Sequence, residues 1–214
     1  MLAWIPHMVS FLIGIAGPSC SGKTELARKV SNWLSNAPIL SLDSYYHALD
    51  HLPISDRGQC NFDHPDALDW PLIIKHVRRL AEGRGVEEPV YLFDQHTRAT
   101  RSRRVEPREY VVIEGLFTLH HPEVRQALGA RFFVSTPDEE CFRRRLVRDI
   151  AERGRTEACV RRQYETTVRP MAEAFVIPSA EHADIRIAGD QPLENALAIV
   201  QKFLKTGSAL AASA

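Results

Sequence analysis

The sequence predicts an α/β protein with a mainly parallel central sheet covered by helices on both faces, in three layers. Two observations predict it. Short apolar runs suited to buried strands alternate with longer amphipathic runs suited to helices, the pattern of repeated strand–helix–strand units. Residues 17–24 read Gly-Pro-Ser-Cys-Ser-Gly-Lys-Thr, a Gly-x-x-x-x-Gly-Lys-Ser/Thr string. It stands between an apolar run, Phe11 to Ala16, and a helix-forming run from Glu25, the strand–loop–helix context in which such a string folds around phosphate.

Each element follows in order. The apolar run 11–16 is a strand, and a helix is expected over 22–36. Gly17 and Gly22 permit the backbone angles that fold the loop around an anion. Its N–H groups, including those near Ser19 and Ser21, then point inward at a helix N-terminus. Lys23 is placed to reach the β and γ phosphates, and the Thr24 hydroxyl to sit on Mg²⁺. The fold expected is therefore of the P-loop NTPase type. A second strand, 38–42, runs toward Asp43. The segment 44–70 is rich in His, Asp and Pro and lacks periodicity, as substrate-binding insertions do. Helix 71–82 and strands at 89–93, 110–114 and 131–135 follow. Helices at 138–152 and 157–175, a strand at 184–187 and a helix at 191–205 complete the set. No internal repeat and no long linker interrupts it, so residues 1–214 read as one domain, with a core over about 11–205. The small-residue stretch 206–214 reads as a frayed tail.

Composition narrows the classes of function. Lys plus Arg and Asp plus Glu both number 27, so no global field draws the chain to nucleic acid or to an anionic membrane. The four cysteines have neither zinc nor redox spacing, which predicts free thiols in a reducing, cytoplasmic setting. Cys20, inside the phosphate loop, reads as a tolerated variable position. The apolar segment 1–9 lacks a positive n-region and a clear cleavage site, and reads as neither a signal peptide nor a membrane span. Arginines crowd 98–108 and 143–169. Such runs are commonly solvated helix faces, a reading that suits Arg143 and Arg153; beside a phosphate loop, others of these arginines are candidates to clamp phosphate.

Several residues can carry chemistry. In an open parallel sheet, ligands sit beyond the carboxyl ends of the strands. That puts Gly17, Asp43 and Glu114 on one rim. Glu114, opposite Thr24, suits Mg²⁺, which takes few protein oxygens besides phosphate and water. Asp43 has two readings: a carboxylate that orients or deprotonates an acceptor hydroxyl, or a turn residue after a strand. Asp63, in Asn-Phe-Asp-His-Pro-Asp, can accept two hydrogen bonds from a vicinal diol, while Asp66 or Asp69 caps the next helix. Tyr91 and His96 are placed to contact a planar base, or Tyr91 belongs to the core. The histidines have no zinc spacing, so oxygen-ligated Mg²⁺ is the expected metal.

Together these segments resemble the uridine kinase (uridine–cytidine kinase) family of P-loop kinases. The stretches that carry the resemblance are 17–24, Asp43-Ser-Tyr-Tyr46, Asn61-Phe-Asp-His-Pro-Asp-Ala67, Pro89-Val-Tyr91 with His96-Thr-Arg98, and Glu114-Gly115. Arg148-Asp-Ile-Ala-Glu-Arg-Gly-Arg155, Gln163-Tyr164 and the stretch from Pro178 to Asp184 continue it. The resemblance implies transfer of the γ-phosphoryl of ATP or GTP to the 5′-hydroxyl of a pyrimidine ribonucleoside, in nucleotide salvage. It implies a substrate-binding insertion, a helical lid and a homo-oligomer, a tetramer. By similarity Asp43 is the catalytic base, with Lys23 and Arg148 acting on phosphate. Arg145 joins Ser19, Ser21 and the rest of the loop at the triphosphate. Tyr46, Asp63, Tyr91, His96, Arg155 and Gln163 form the nucleoside site. Thr24, Glu114 and Asp43 serve Mg²⁺. One departure stands out: the family has Tyr-Asp-Phe where this chain has Tyr91-Leu92-Phe93, with Asp94 next. The rival readings are a related small-metabolite kinase, separated by its acceptor, and a nucleotide sensor, which has no use for Asp43 together with Asp63.

Overall fold

The computed structural model describes residues 9–211, with side chains as far as Thr206. The segment 1–8, most of the apolar stretch weighed above as a leader or membrane span, lies outside the described residues.

In chain order, β1 (Phe11–Ala16) leads through the phosphate loop into α1 (Lys23–Trp33), then β2 (Ile39–Ser41) and a 3-10 turn, Leu42–Tyr45. The insertion holds α2 (Ile54–Arg57) and ends at α3 (Trp70–Ala81). There follow β3 (Val86–Leu92), β4 (Thr97–Val105), β5 (Tyr110–Glu114), α4 (Pro122–Ala127), β6 (Ala130–Ser135) and α5 (Asp138–Arg153). The last elements are α6 (Glu157–Gln163), α7 (Arg169–Met171), β7 (Ile185–Ala188) and α8 (Leu193–Ala211). The α8 backbone continues to Ala211, past the point where the sequence reads as a tail.

The main sheet has five strands in the order β2-β5-β1-β6-β7, all parallel. Its central strands are apolar on both faces because helices cover both. On one face Leu12, Val111 and Ile113 pack against Ile73, Val77 and Leu80 of α3. On the other, Ile13, Val112 and Phe132 pack against Leu26 and Val30 of α1 and Val200 of α8. The arrangement expected from the alternation of runs is the one observed.

Three features were not foreseen. The arginine run at 98–108 is not a helix face. Its first part is β4, an antiparallel partner of β3 in a separate two-stranded sheet. Arg103 pairs with Glu88, and Arg104 with Glu87 and Glu106. None of these arginines lines the main cleft. The helix expected over 157–175 keeps its course but changes its winding, with π turns at Tyr164–Val168 and Ala172–Val176 on either side of α7. The short helix α4 is the third; His121 caps it through Nδ1, accepting from the Glu123 N–H at 3.3 Å.

Glu88 hooks the hairpin onto the sheet. It is 1% exposed and accepts from the Ser41 N–H at 3.0 Å and from Arg103 Nε at 2.7 Å. Glu88→Ala strips the half-buried Ser41 N–H and the Arg103 guanidinium of their acceptor, at a cost of about 1–3 kcal/mol. For a chain of this size that is a fall in Tm of roughly 3–10 °C, read by calorimetry. A variant melting with the parent removes Glu88 from this role.

Candidate active site

The phosphate loop is built by backbone conformation. Gly17 has φ 154°, and a Cβ there would lie 2.5 Å from the Val134 carbonyl oxygen. No larger residue fits between the loop and β6. Gly22, at φ 99°, turns the chain into α1, whose first N–H groups then face the loop. Thr136 Oγ1 fixes the loop from behind, donating to the Ser21 carbonyl at 2.9 Å. Ser21 is fully buried, so its side chain does not reach the cleft. Ser19, Cys20, Gly22, Lys23 and Thr24 do line it. Lys23 Nζ rests on the Pro18 carbonyl at 3.3 Å.

At the foot of the loop three oxygen side chains converge. Thr24 Oγ1 donates to Glu114 Oε2 at 3.0 Å, and Ser41 Oγ to Glu114 Oε1 at 2.6 Å. Glu114 is buried, beneath the cleft rather than on its wall. Asp43, on the 3-10 turn after β2, is a cleft residue. Burial pushes its carboxyl up to about 6, Glu114 pushes the same way, and Lys23 opposes. Among the described residues no three His, Cys, Asp or Glu side chains gather into a metal cage. Thr24, Glu114 and Asp43 offer a donor set of hard oxygen, one hydroxyl and two carboxylates. It fits Mg²⁺, which completes its shell with phosphate and water.

The cleft, of about 1420 Å³, continues past Asp43 under the insertion. That volume exceeds what one small ligand fills. Its far wall is aromatic. Tyr46 packs on Phe62 and Tyr91 with ring centroids 5.4 Å from each. His96 stacks on Phe62 at 4.8 Å and 20°. The Tyr91 hydroxyl is buried without a partner, a polar group left for a ligand to satisfy. Burial lowers the His96 pKa, and the Arg155 and Arg57 charges act in the same sense, which favours the neutral ring. Asp63, 9% exposed, stands on the same wall, its N–H held by Asn61 Oδ1 at 3.1 Å. Burial raises its pKa against the pull of Arg145 and Lys23. Asp69 is the helix cap, accepting from the Leu72 N–H at 3.2 Å. Arg98 ties the insertion to the hairpin, donating to the Tyr46 and Tyr45 carbonyls at 2.8 and 2.9 Å and to Asp69 at 3.0 Å.

The opposite wall is cationic. Arg145, 5% exposed, donates to Ser19 Oγ at 3.0 Å and to Gln163 Oε1 at 3.2 Å. Arg155 donates to the same Gln163 oxygen. Arg148 and Arg153 also line the cleft. Arg143 sits on the solvated face, paired with Glu140 as its spacing suggests, but Arg153 does not. Arg144 braces the loop, bonding Glu140 at 2.6 Å and the Gly189 carbonyl at 3.0 Å.

The cleft thus gathers Asp43, Lys23, Arg148, Ser19, Thr24, Arg145, Tyr46, Asp63, Tyr91, His96, Arg155 and Gln163. Gly17, Ser21 and Glu114 stand behind its surface. Leu92 and Asp94 both line it at the hairpin tip. Sequence reasoning missed Phe62, Glu88 and Arg153. Phe62 lies inside a segment read only for its polar residues. Arg153 was legible in its four-residue spacing from Asp149, which turns it toward the same helix face.

The pattern of the Phosphoribulokinase / Uridine kinase family matches residues 12–191. A uridine kinase of Shewanella amazonensis is 42% identical over 180 residues, which cover 81% of this chain and 85% of the relative. One of Clostridium botulinum (strain Okra / Type B1) is 39% identical over 201 residues, 89% of this chain and 98% of the relative. Among solved structures, phosphoribulokinase from Rhodobacter spheroides superposes with a TM-score of 0.60 at 14% identity, covering 87% of this chain and 74% of that one. At that identity the likeness speaks for the fold alone.

Proposed function

The chain belongs to the Phosphoribulokinase / Uridine kinase family, and from that premise we propose that it is a uridine kinase. It transfers the γ-phosphoryl of ATP or GTP to the 5′-hydroxyl of uridine, and of cytidine, in pyrimidine salvage. The observation that carries the reading is one cleft with two unlike ends. A phosphate loop forms one. An aromatic wall with an unpaired Tyr91 hydroxyl and the buried carboxylate of Asp63 forms the other.

In this reading the ribose hydroxyls donate to Asp63, and the base lies against Tyr46, Tyr91 and His96. Arg155 and Gln163 complete the nucleoside site. Asp43 accepts the 5′-hydroxyl hydrogen bond and takes its proton as the phosphoryl group passes in line. Lys23, Arg145 and Arg148 offset the charge spread over the transferring group. Thr24, with Glu114 and Asp43, would hold Mg²⁺, which when bound neutralises charge on the β and γ phosphates. The 157–176 helix, with its two π turns, acts as the lid; π turns inside helices are frequent at functional sites. The chain acts as one domain in the cytoplasm, consistent with four free thiols, and as a homo-oligomer, tetrameric by family resemblance.

The test is a product assay. The protein is incubated with Mg²⁺, ATP or GTP and, separately, uridine, cytidine, adenosine, deoxyuridine, ribulose 5-phosphate or pantothenate, and products are identified by mass. Uridine 5′-monophosphate, formed only with nucleoside and metal present, is the expected result. Transfer to ribulose 5-phosphate or pantothenate instead, or bound triphosphate with no transfer to any acceptor, overturns it. The uridine-to-cytidine ratio also reads whether Asp94 takes the place of the carboxylate that Leu92 lacks.

A further inference from the structure

We infer that Asp149 is a positioning residue for phosphoryl transfer: it holds the arginines of the cleft in their phosphate-facing arrangement before the triphosphate arrives. The inference rests on the reading of the cleft as a phosphoryl-transfer site. Asp149 is fully buried at the C-terminal end of α5. Its Oδ1 accepts from Arg148 at 2.9 and 2.8 Å, and Arg153 Nη1 stands 3.6 Å away. Its Oδ2 accepts from Arg155 at 3.4 Å and faces Arg145 Nε at 3.5 Å. Its main-chain carbonyl accepts from Gly154 and, at 3.1 Å, from Arg155, closing the turn that aims Arg155 back at the cleft.

One carboxylate therefore serves four guanidinium groups, and all four line the cleft. A carboxylate buried alone is strongly unfavourable, and four cations crowded together repel; each offsets the cost of the other. The consequence is order. An arginine has a long, entropically mobile stem, and its fixed fork lets one edge bond Asp149 while the remaining N–H groups stay free for another acceptor. Arg145, whose Nε faces Asp149 as an ion pair without a hydrogen bond, donates through its Nη groups to Ser19 of the phosphate loop and to Gln163, which also takes Arg155. The triphosphate end and the nucleoside end thus share one anchor. Donors fixed in advance are the ones that stabilise a transition state most, because nothing must reorganise as charge develops.

The signs of the effects separate positioning from scaffolding. Asp149→Asn keeps the volume and removes one negative charge. The cluster becomes more cationic, so a non-hydrolysable ATP analogue binds as well as to the parent, or more tightly. The arginines lose their anchor, so kcat falls by roughly 10–100-fold, as for other groups that orient a reacting shell. Single-turnover rates are taken per mole of analogue-binding sites, so unfolded protein is not counted. In a second arm, Asp149→Ala is assayed with added formate. A saturable recovery of kcat, with analogue affinity unchanged, supports the inference. A kcat per site within twofold of the parent overturns it, as does an analogue affinity that weakens in step with kcat; so does an Asn variant without binding sites combined with no rescue by formate. The comparison is made with whichever acceptor the parent phosphorylates, so a parent inactive on uridine counts against the proposed substrate and not against Asp149.

Discussion

Asp43→Asn lowers kcat by roughly 10²–10⁴-fold, the span that follows loss of a positioned general base, while uridine binding survives. The amide keeps the shape and the hydrogen-bond acceptor but cannot take the proton. The parent carries a companion signature. Asp43 is held up to about 6 by burial and by Glu114, so its basic form predominates only above that pH. In the parent, kcat/KM falls on the acid side with a midpoint near about 6, and this limb reports the free enzyme. A parent profile flat from pH 5 to pH 8, or a variant with parental kcat, removes Asp43 from the chemistry. Stability moves the other way. A carboxylate whose folded pKa is raised is penalised in the folded state once it ionises, and not below its ordinary range, where both states are protonated. The Asn variant therefore melts above the parent at neutral pH, and the gap closes as pH falls from about 6 to about 4. Thermal melts at several pH values measure it.

Asp63→Ala removes the preference for ribose. A site built to pair a substrate hydroxyl rejects the analogue lacking it by up to about 10⁴–10⁵-fold, because its own polar group is then left unpaired. Asp63 is buried, so water does not readily take the place of the missing 2′-hydroxyl. In the parent, kcat/KM for uridine exceeds that for 2′-deoxyuridine by roughly 10²-fold or more. In the variant the two converge, chiefly through loss on uridine. A ratio that survives the substitution places the ribose elsewhere.

Where the sequence and the structure agree, one local pattern determined one element. The run 11–16, the glycines at 17 and 22, and the run 110–114 each leave little choice, and the phosphate-binding end was readable from them. β4 was not readable. A strand announces itself by alternating apolar residues, and Arg98 to Arg104 carry almost none, since most of that strand faces solvent. Its pairing depends on Glu87 and Glu88, which precede it in the sequence and meet it only after the hairpin closes. The π turns escaped because a helical pattern is read at 3.6 residues per turn, and the one residue each π turn adds is marked by no particular residue type. Ser21 illustrates a different limit. A loop motif says which backbone surrounds an anion, but not which of its side chains turns inward, and Ser21 packs against Gly17. Asp149 stands four residues from Arg145 and from Arg153, the spacing of an ion-pair partner, whereas its complete burial is a tertiary property that no local pattern announces.

The hairpin of β3 and β4 shares no strand with the five-stranded sheet, yet it carries Tyr91, Leu92, Asp94 and His96 into the cleft, at the end proposed above for the acceptor. It is attached by Val86, Tyr91 and Val105, buried in the core shared with α3, and by polar hooks, Glu88 to Ser41 and Arg98 to the Tyr45 and Tyr46 carbonyls, rather than by continuous strand pairing. On the proposed reading, recognition of the acceptor is thereby separable from the machinery that handles phosphate. Substitutions at the tip can re-tune which base is taken without touching the register of β1 and β5 or the loop between β1 and α1. A lineage built on this plan can diversify its acceptors one hairpin at a time, and an engineer can transplant the tip as a cassette while leaving the donor end as it stands.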